Sequence, residues 1–362
     1  MSLPPEEPRP PVGLDRFVLR MPKVELHVHL EGAMRPSVLI ELARRNGVEL
    51  PAADEAGLKR WFRFRDFEHF VQVYLTCSRS LRDPEDFKLL ATDFLAEQAL
   101  QNVVYSEVHF TISTHLANGV NGDEVLAALA EAIEEGERRF GVVMRLIPDI
   151  VRNVGPGPAE RTVEWALAGR ERGVVALGLS GNEAKFANEP FREHFEAARR
   201  GGLRRVAHAG EHAGPASIRS VLEVCGAERI GHGVRAVEDS ELVAELRERR
   251  IPLEVCPTSN VCLGVVEDLA RHPFDSLYRA GVRLSVSSDD PAFFNTNLTR
   301  EYLRLAQTFG YDAVQLAGMA LAGLRQSLLP EAARAALEAR FLSRLDELGR
   351  ELFGAPIQPA LQ

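Results

Sequence analysis

The sequence has few of the features that mark secreted, membrane-spanning or nucleic-acid-binding proteins. Its 362 residues include only four cysteines, and these show no spacing typical of paired metal ligands. No run of about 18 uninterrupted apolar residues occurs, so a membrane span is not expected. The formal net charge is −9, and no basic stripe is present that would attract a nucleic-acid backbone. The predicted partner is therefore a small molecule, and the sequence does not indicate an oligomeric state.

The N-terminal residues are rich in proline and glutamate and lack the apolar centre of a signal peptide. We predict a disordered leader over residues 1–16 and a single domain over residues 17–356. Without an export signal, the cysteines are interpreted as reduced thiols, and the predicted compartment is the cytoplasm. A composition of 45% hydrophobic and 26% charged residues is ordinary for a globular protein with a large core.

Eight short apolar runs rich in Val, Ile and Leu alternate with amphipathic helical patterns. Such runs are typical of strands buried on both faces of a parallel sheet. Eight strand–helix units predict an α/β fold, a (β/α)8 TIM barrel, which typically needs about 250 residues. The excess length is assigned to a helical insertion after the first strand, at about 37–100, and to C-terminal helices at about 312–324 and 330–352. The predicted strands are 24–30, 103–110, 142–150, 174–179, 203–208, 229–232, 251–256 and 282–287.

Side chains that bind metals or move protons follow several of these predicted strands. His27 and His29 are two residues apart, so on a strand both point to the same face. Two further runs end in a histidine, His208 and His232, and a third is followed by the pair Asp289 and Asp290. The carboxyl ends of barrel strands meet at one face, where three histidines, an aspartate and a nearby glutamate suit one zinc ion and an acid–base group.

Each of these signals has another explanation when it is taken alone. A His-x-His pair in a soluble protein is more often structural, and Glu211 could be an exposed loop carboxylate. Asp289-Asp290-Pro291 makes a good turn, although two adjacent carboxylates repel and favour a compensating cation. The occurrence of all of them at strand ends of one barrel favours a single site.

Six motifs, in the same order, resemble those of the adenosine deaminase family of the amidohydrolase superfamily. The match runs from about residue 22 to the C-terminal helices. The resemblance implies a hydrolase of purine metabolism that acts on the C–N bond of a cyclic amidine. The motifs are LHVHLEG (26–32), SGNE (180–183), HAGE (208–211), RIGHG (229–233), CPTSN (256–260) and SDDP (288–291).

The resemblance also implies a role for each matching residue. Glu211 would share a proton with purine N1, and His232 would orient the attacking water, with Asp289 as the third catalytic group. For its role, Glu211 should have a raised pKa, which burial would provide. The residues implied to bind one zinc ion are His27, His29, His208 and Asp289. Those implied to contact the substrate are His29, Glu31 at the sugar end, the backbone of Gly181 at N3, and Asp290 at N7.

The expected reaction is zinc-dependent deamination of a 6-aminopurine, with adenosine, giving inosine and ammonia, as the first choice. Zinc would supply the nucleophile by lowering the pKa of bound water from 15.7 to about 7. Adenine and a 5′-modified adenosine such as aminofutalosine are alternatives, as is a barrel that binds nucleosides without catalysis. Glu31 departs from the aspartate common in the family's nucleoside enzymes, which leaves the sugar end open. Gly231 favours a nucleoside, because the adenine enzymes more often have Asp at that position.

Other deaminase designs fit the sequence less well. The fourth predicted strand has no lysine that could bridge two metals, which favours one ion. The nucleobase deaminases that pair H-x-E with P-C-x-x-C are excluded, because Cys256 precedes Pro257 and Cys262 is six residues on. His109 and His115 are interpreted as barrel-edge residues, with a place on the pocket wall as the alternative. The aromatic stretch 61–70 could be a lid over the substrate or an ordinary helix interface.

Overall fold

The computed structural model describes residues 12–65 and 67–359 of the chain. Eight strands form one sheet in which each strand pairs in parallel with the next along the chain. The predicted (β/α)8 barrel is thus confirmed. The strands are β1 Lys23–His29, β2 Val103–Phe110, β3 Val143–Val151, β4 Ala176–Ser180, β5 Arg204–Ala209, β6 Arg229–His232, β7 Leu253–Val255 and β8 Leu284–Val286.

The segment after β8 returns to β1 and nearly closes the barrel. Val28 forms a parallel bridge with Asp289, and the His29 N–H donates to the Asp289 carbonyl at 2.8 Å. In return, the Asp289 N–H donates to the carbonyl of His27 at 3.1 Å. This closure sets Asp289 directly beside the end of β1.

Helices surround the strands and cover them with their apolar faces. Val125, Leu126, Leu129 and Ile133 are all buried on one helix, as their spacing predicts. The helices are α1 Val12–Arg20, α2 Pro36–Asn46, α3 Glu55–Trp61, α4 Phe67–Arg79, α5 Pro84–Leu100, α6 Ile112–Ala117, α7 Gly122–Phe140, α8 Pro156–Ala168, α9 Arg192–Arg200, α10 Pro215–Ser220, α11 Ser240–Glu248, α12 Pro257–Cys262, α13 Phe274–Arg279, α14 Leu298–Phe309, α15 Ala313–Gln326 and α16 Glu331–Phe353.

The segments outside the regular barrel agree largely with the sequence. Helices α2 to α5 fill the predicted insertion, and α15 and α16 are the two predicted C-terminal helices. Helix α14 was not predicted. It begins at Asn297, whose side chain accepts a hydrogen bond from the Arg300 N–H.

The predicted disordered leader is wrong for residues 12–16, because they form the start of α1. Phe17 of this helix packs against Phe353 of α16 with 5.8 Å between ring centroids. The rest of the leader, residues 1–11, lies outside the described residues. Within the described part of the chain, no helix combines the length and apolarity needed to cross a bilayer.

Candidate active site

Four predicted metal ligands lie together at the carboxyl end of the barrel. The Nε2 atoms of His29 and His208 are 3.2 Å apart. Asp289 Oδ1 lies 3.4 Å from His29 Nε2 and 3.5 Å from His27 Nε2. One donor atom from each of the four residues fits within a mutual distance of 4.8 Å.

The chemistry of this cluster fits a metal ion. His27 Nε2 is buried and has no hydrogen-bond partner, so one ligand atom is free. Burial lowers the pKa of His27, but Asp289 and Glu254 outweigh it and raise that pKa to about 10. The site therefore attracts positive charge at a point where three imidazoles and a carboxylate converge, which is a donor set typical of zinc. Binding of the ion by these residues stays a prediction.

Two ligands are oriented by hydrogen bonds on their far ring nitrogens. His27 Nδ1 lies 2.8 Å from Glu254 Oε2, and His208 Nδ1 lies 3.0 Å from the carbonyl of Leu179. Both bonds keep a proton on Nδ1 and point Nε2 toward the cluster, as in most metal-binding histidines. Glu254 was not predicted to belong to the site, although a glutamate inside the apolar run 251–256 is a usable signal.

Glu254 is itself held in a buried ion network. Its Oε1 accepts from Arg229 Nε at 2.6 Å, and Arg229 also pairs with Glu107. Burial raises the pKa of Glu254, but Arg229 and His27 outweigh it and lower the pKa to about 2. Glu254 is therefore an anion at any physiological pH and keeps His27 in one orientation.

Asp289 and His232 have left-handed backbone conformations, which are uncommon for residues with side chains. Their φ angles are 65° and 61°. Ser259 Oγ donates a hydrogen bond to Asp289 Oδ2 at 2.5 Å, which fixes the Asp289 carboxylate on its strained backbone. Residues in such conformations cost roughly 1–3 kcal/mol and concentrate at functional sites.

The loop that carries Glu211 is fixed by a residue without a predicted role, Glu183. Its carboxylate accepts from the backbone N–H groups of Gly210, Glu211, His212 and Ala213 at 2.7–3.0 Å. Glu211 Oε1 is buried without a partner, and Oε2 lies 3.8 Å from His232 Nε2. Glu211 is thus rigidly placed with one oxygen free.

The expected raised pKa of Glu211 is wrong for this structure. Burial does raise it, but His232 and His212 outweigh burial and lower the pKa below its usual value. His212 Nδ1 lies 3.1 Å from Glu211 Oε2. Glu211 is therefore a carboxylate near neutral pH, and in its predicted role it would have to acquire its proton during the reaction.

We expect His212→Gln to move the acidic limb of activity to higher pH. The substitution removes a positive charge that lowers the Glu211 pKa, so Glu211 becomes protonated at a higher pH. The profile of kcat/KM against pH measures this, since it reports groups of the free enzyme. An unchanged acidic limb, with zinc content retained, would show that Glu211 does not control it.

Asp290 and Gly181, two predicted substrate contacts, lie on the wall of one cavity with His29, His208, Glu211, His232 and Asp289. A Cβ at Gly32 would come within 1.7 Å of Asp290 Oδ1, so glycine is needed there for Asp290 to take its place. Gly181 has a φ of 90°, and its Cβ would come within 2.5 Å of Asn153 Oδ1. Burial and the neighbouring Asp289 raise the pKa of Asp290 well above its usual value.

Glu31, the remaining predicted substrate contact, does not lie on this wall. It is fully buried, and Oε1 accepts from the Thr111 N–H at 3.0 Å and from His115 Nε2 at 2.9 Å. His115 and His109, interpreted as barrel-edge residues, are both fully buried, and neither is among the residues that line the cavity. His109 Nδ1 lies 2.9 Å from Asp149 Oδ1, a carboxylate that the sequence analysis also missed.

The cavity holds about 240 Å³ and has a mostly apolar outer wall. Phe70 of the aromatic stretch 61–70 lines it, whereas Phe62 and Phe64 pack against Phe293. Part of that stretch therefore covers the cavity and part is interface. The side chain of Phe67 lies outside the described residues. Other apolar lining residues are Val71, Tyr74, Leu75, Val151, Val154 and Leu263.

Comparison with known proteins agrees with this geometry. Residues 22–344 match the family model described as adenosine deaminase. The chain is 39% identical over 325 residues to an aminodeoxyfutalosine deaminase of Streptomyces coelicolor, covering 89% of this chain and 84% of that protein. It is also 39% identical over 329 residues to an adenine deaminase of Streptomyces coelicolor, covering 91% and 96%. Its structure is similar to that of an amidohydrolase of Burkholderia ambifaria with bound zinc, at a TM-score of 0.88 and 27% identity over 97% of each chain.

Proposed function

The chain belongs to the adenosine deaminase family of hydrolytic deaminases, and we propose that it removes the 6-amino group of a purine with the help of one zinc ion. The observation that carries the proposal is the convergence of four ligand atoms beside one cavity that Glu211, His232 and Asp290 also line. The relatives named as aminodeoxyfutalosine and adenine deaminases support the 6-aminopurine. The zinc-containing neighbour supports the metal.

His27, His29, His208 and Asp289 would hold the ion. When bound, zinc supplies a Lewis acid that makes water a competent nucleophile near neutral pH. The three imidazoles are suited to this because they are neutral ligands and leave most of the metal's charge in place. Glu254 and the Leu179 carbonyl hold His27 and His208 in the orientation that binding requires.

Glu211 would move the proton that the reaction needs. Addition of water at C6 places electron density on N1, which must then be protonated. Glu211 begins as a carboxylate, so it can accept a proton from the attacking water and hold it at Oε1 for transfer to N1. Its fixed backbone, held by Glu183, keeps that oxygen in place through both transfers.

Asp290 and Gly181 would orient the purine ring. N7 of a purine is a hydrogen-bond acceptor, so the carboxyl facing it must carry a proton. Burial and Asp289 raise the pKa of Asp290, which keeps it protonated and able to donate to N7. The backbone of Gly181 lies on the cavity wall without a side chain, and a ring edge can approach it closely.

The outer wall of the cavity favours an adenosine with an apolar 5′ substituent over adenosine itself, the first choice from the sequence. Leu75 and Val154 line the cavity and are 40% and 54% exposed, which is high for large apolar side chains. Glu31 is buried, bonded to His115 and not among the residues that line the cavity, so we do not expect it to accept a hydrogen bond from a free 5′-hydroxyl. No lysine or arginine occurs among the described residues that line the cavity, so a 5′-phosphate has no cationic partner there.

A substrate panel tests the function and ranks the substrates. Zinc-loaded protein is assayed for ammonia release with adenine, adenosine, AMP and a 5′-deoxy-5′-alkylthioadenosine. We expect turnover of 6-aminopurines, with the highest kcat/KM for the alkylthio compound. A best rate with adenosine or adenine would correct the substrate but keep the reaction. Absence of turnover with zinc bound would favour a barrel that binds nucleosides without catalysis.

We expect Leu75→Glu to lower kcat/KM for the alkylthioadenosine about tenfold, because a charge replaces apolar contact with the substituent. Adenine lacks that part of the substrate, so its kcat/KM should stay the same. Leu100→Glu is a matched control, since Leu100 is 76% exposed and does not line the cavity. An equal loss with both substrates would show that Leu75 acts on the fold and not on the 5′ group.

We propose that the protein is located in the cytoplasm, because its four cysteines are free thiols. Cys77, Cys225 and Cys256 are buried free thiols, and Cys262 is an exposed one. Reduced thiols are typical of proteins of the cytosol.

A further inference from the structure

His232 is connected to a short chain of buried polar groups that leads away from the cavity. Its Nδ1 lies 3.2 Å from Asn260 Nδ2, and Asn260 Oδ1 lies 3.0 Å from His272 Nε2. His272 Nδ1 in turn accepts from the backbone N–H of Phe274 at 3.0 Å. His232, Asn260 and His272 are each at least 97% buried, so water does not compete for these bonds.

The last of these bonds determines the direction of all the others. A backbone N–H can only donate, so His272 Nδ1 must be the acceptor. Burial, and to a lesser extent His232, lower the pKa of His272 to about 3, so its ring is neutral and its single proton is on Nε2. That proton is donated to Asn260 Oδ1, which turns the Asn260 amide N–H₂ toward His232 Nδ1. His232 Nδ1 must therefore accept, and the ring proton of His232 is on Nε2.

The Nε2 atom of His232 faces the reacting groups. It lies 3.8 Å from Glu211 Oε2 and 3.9 Å from Asp289 Oδ2. These separations exceed a hydrogen bond, so a small polar group between these atoms could contact both. With its proton on Nε2 and Nδ1 occupied by the Asn260 amide, His232 can donate to such a group but has no free lone pair to take a proton from it.

We propose that Asn260 and His272 are positioning residues that fix His232 as the Nε2–H tautomer. In this tautomer His232 is a hydrogen-bond donor to the attacking water. Glu211 is then the group that accepts the water's proton. This inference rests on the proposed function for the reaction, but the tautomer itself is a property of the protein alone. The motif CPTSN contributes Asn260 from α12, and His272 precedes α13, so both residues come from the connection between β7 and β8.

The tautomer is measured directly by NMR on the zinc-loaded full chain with ¹⁵N-labelled histidine. Long-range ¹⁵N–¹H correlations distinguish protonated from unprotonated ring nitrogens, and His232→Gln and His272→Gln assign the two residues among the ten histidines. We expect the proton of His232 on Nε2 and that of His272 on Nε2. A spectrum with the His232 proton on Nδ1 would overturn the proposal whatever substrate the enzyme uses.

Paired variants test the consequence for the reaction. His272→Gln keeps an N–H donor for Asn260 Oδ1, so we expect kcat within about threefold of the parent and His232 still protonated on Nε2. His272→Leu and Asn260→Leu remove the constraint, and kcat should fall roughly 10²-fold while KM and zinc content stay the same. Thermal unfolding identifies variants that fail to fold, and the spectrum of the unsubstituted protein does not depend on them. Equal kcat for folded His272→Leu and His272→Gln would also overturn the proposal.

Discussion

Glu211→Gln is expected to bind zinc normally and to lose turnover by roughly 10²- to 10⁴-fold, the range usual for loss of a general acid–base group. The glutamine side chain has nearly the same shape, so the hydrogen bonds that the backbone N–H groups of this loop donate to Glu183 should persist. It cannot accept a proton from water or pass one to purine N1. Single-turnover measurements with the best substrate of the panel give the rate, and metal analysis gives the zinc content.

The effect should be specific to this glutamate. Glu196→Gln is the matched control, because Glu196 lies on the outside of α9 in exposed pairs with Arg199 and Arg200. It should be indistinguishable from the parent in rate and zinc content. Full activity of Glu211→Gln would show that Glu211 is not the proton carrier. The proposal that Glu211 accepts the water's proton while His232 only donates a hydrogen bond would then lack support.

The fold could be predicted from local patterns because a parallel barrel repeats one simple rule. Each buried strand is a short apolar run, and each covering helix carries a periodic apolar face, as Val125 and Leu129 show. The convergence of His27, His208 and Asp289 followed from the same rule, since strand ends meet at one face. Helix α14 was not predicted, although Tyr302 and Leu305 are three positions apart and both are buried on it.

The residues that orient the site could not be predicted in the same way, because their role depends on long-range contacts. Glu254 reaches His27, which is 227 positions away in the sequence, and Asp149 reaches His109 across neighbouring strands. His272 acts through Asn260 and has no motif of its own. A carboxylate or imidazole inside an apolar run shows only that a buried partner must exist, and not which partner it is.

The expected pKa of Glu211 was wrong because its neighbours outweigh burial, and a distant neighbour also bears on Glu31, whose substrate contact stays a prediction. Burial alone would raise the pKa of Glu211, but His212 and His232 are close enough to reverse the sign. Glu31 matches a substrate-binding position of the family, yet His115, 84 residues further along, holds its carboxylate inside the barrel. The positions of His232 and His115 in space were not evident from the sequence.

Zinc removal by a chelator is expected to abolish activity, and added zinc should restore it with the release of about one proton per ion from His27, in addition to the fraction that zinc-bound water loses near pH 7. Without metal, Asp289 and Glu254 raise the pKa of His27 to about 10, so His27 carries a proton that zinc must displace. Burial lowers the pKa of His29 to about 4 and that of His208 well below its usual value, so neither has a proton to release. Calorimetric titration in buffers of different ionisation enthalpy counts the protons.

The same pKa shift predicts how the metal-free protein responds to pH. A pKa raised in the folded state contributes stability that is fully present below the unfolded value of about 6.5 and is lost as pH rises through about 10. The metal-free protein should therefore lose stability over this range, while its apparent zinc affinity rises up to about tenfold per pH unit. The zinc-bound protein, in which His27 is already neutral, should lack this part of the pH dependence.

Glu254→Gln separates the carboxylate's effect on His27 from a general effect on the barrel. The variant removes one of the two anions that raise the His27 pKa, so fewer protons should be released at pH 8.5 than from the parent. Arg229 keeps Glu107 and the Gln326 carbonyl as partners, which should preserve the fold. If zinc bound to the parent without proton release near pH 7, His27 would be neutral in the metal-free site, and the carboxylates around it would not act as a counter-charge for a cation.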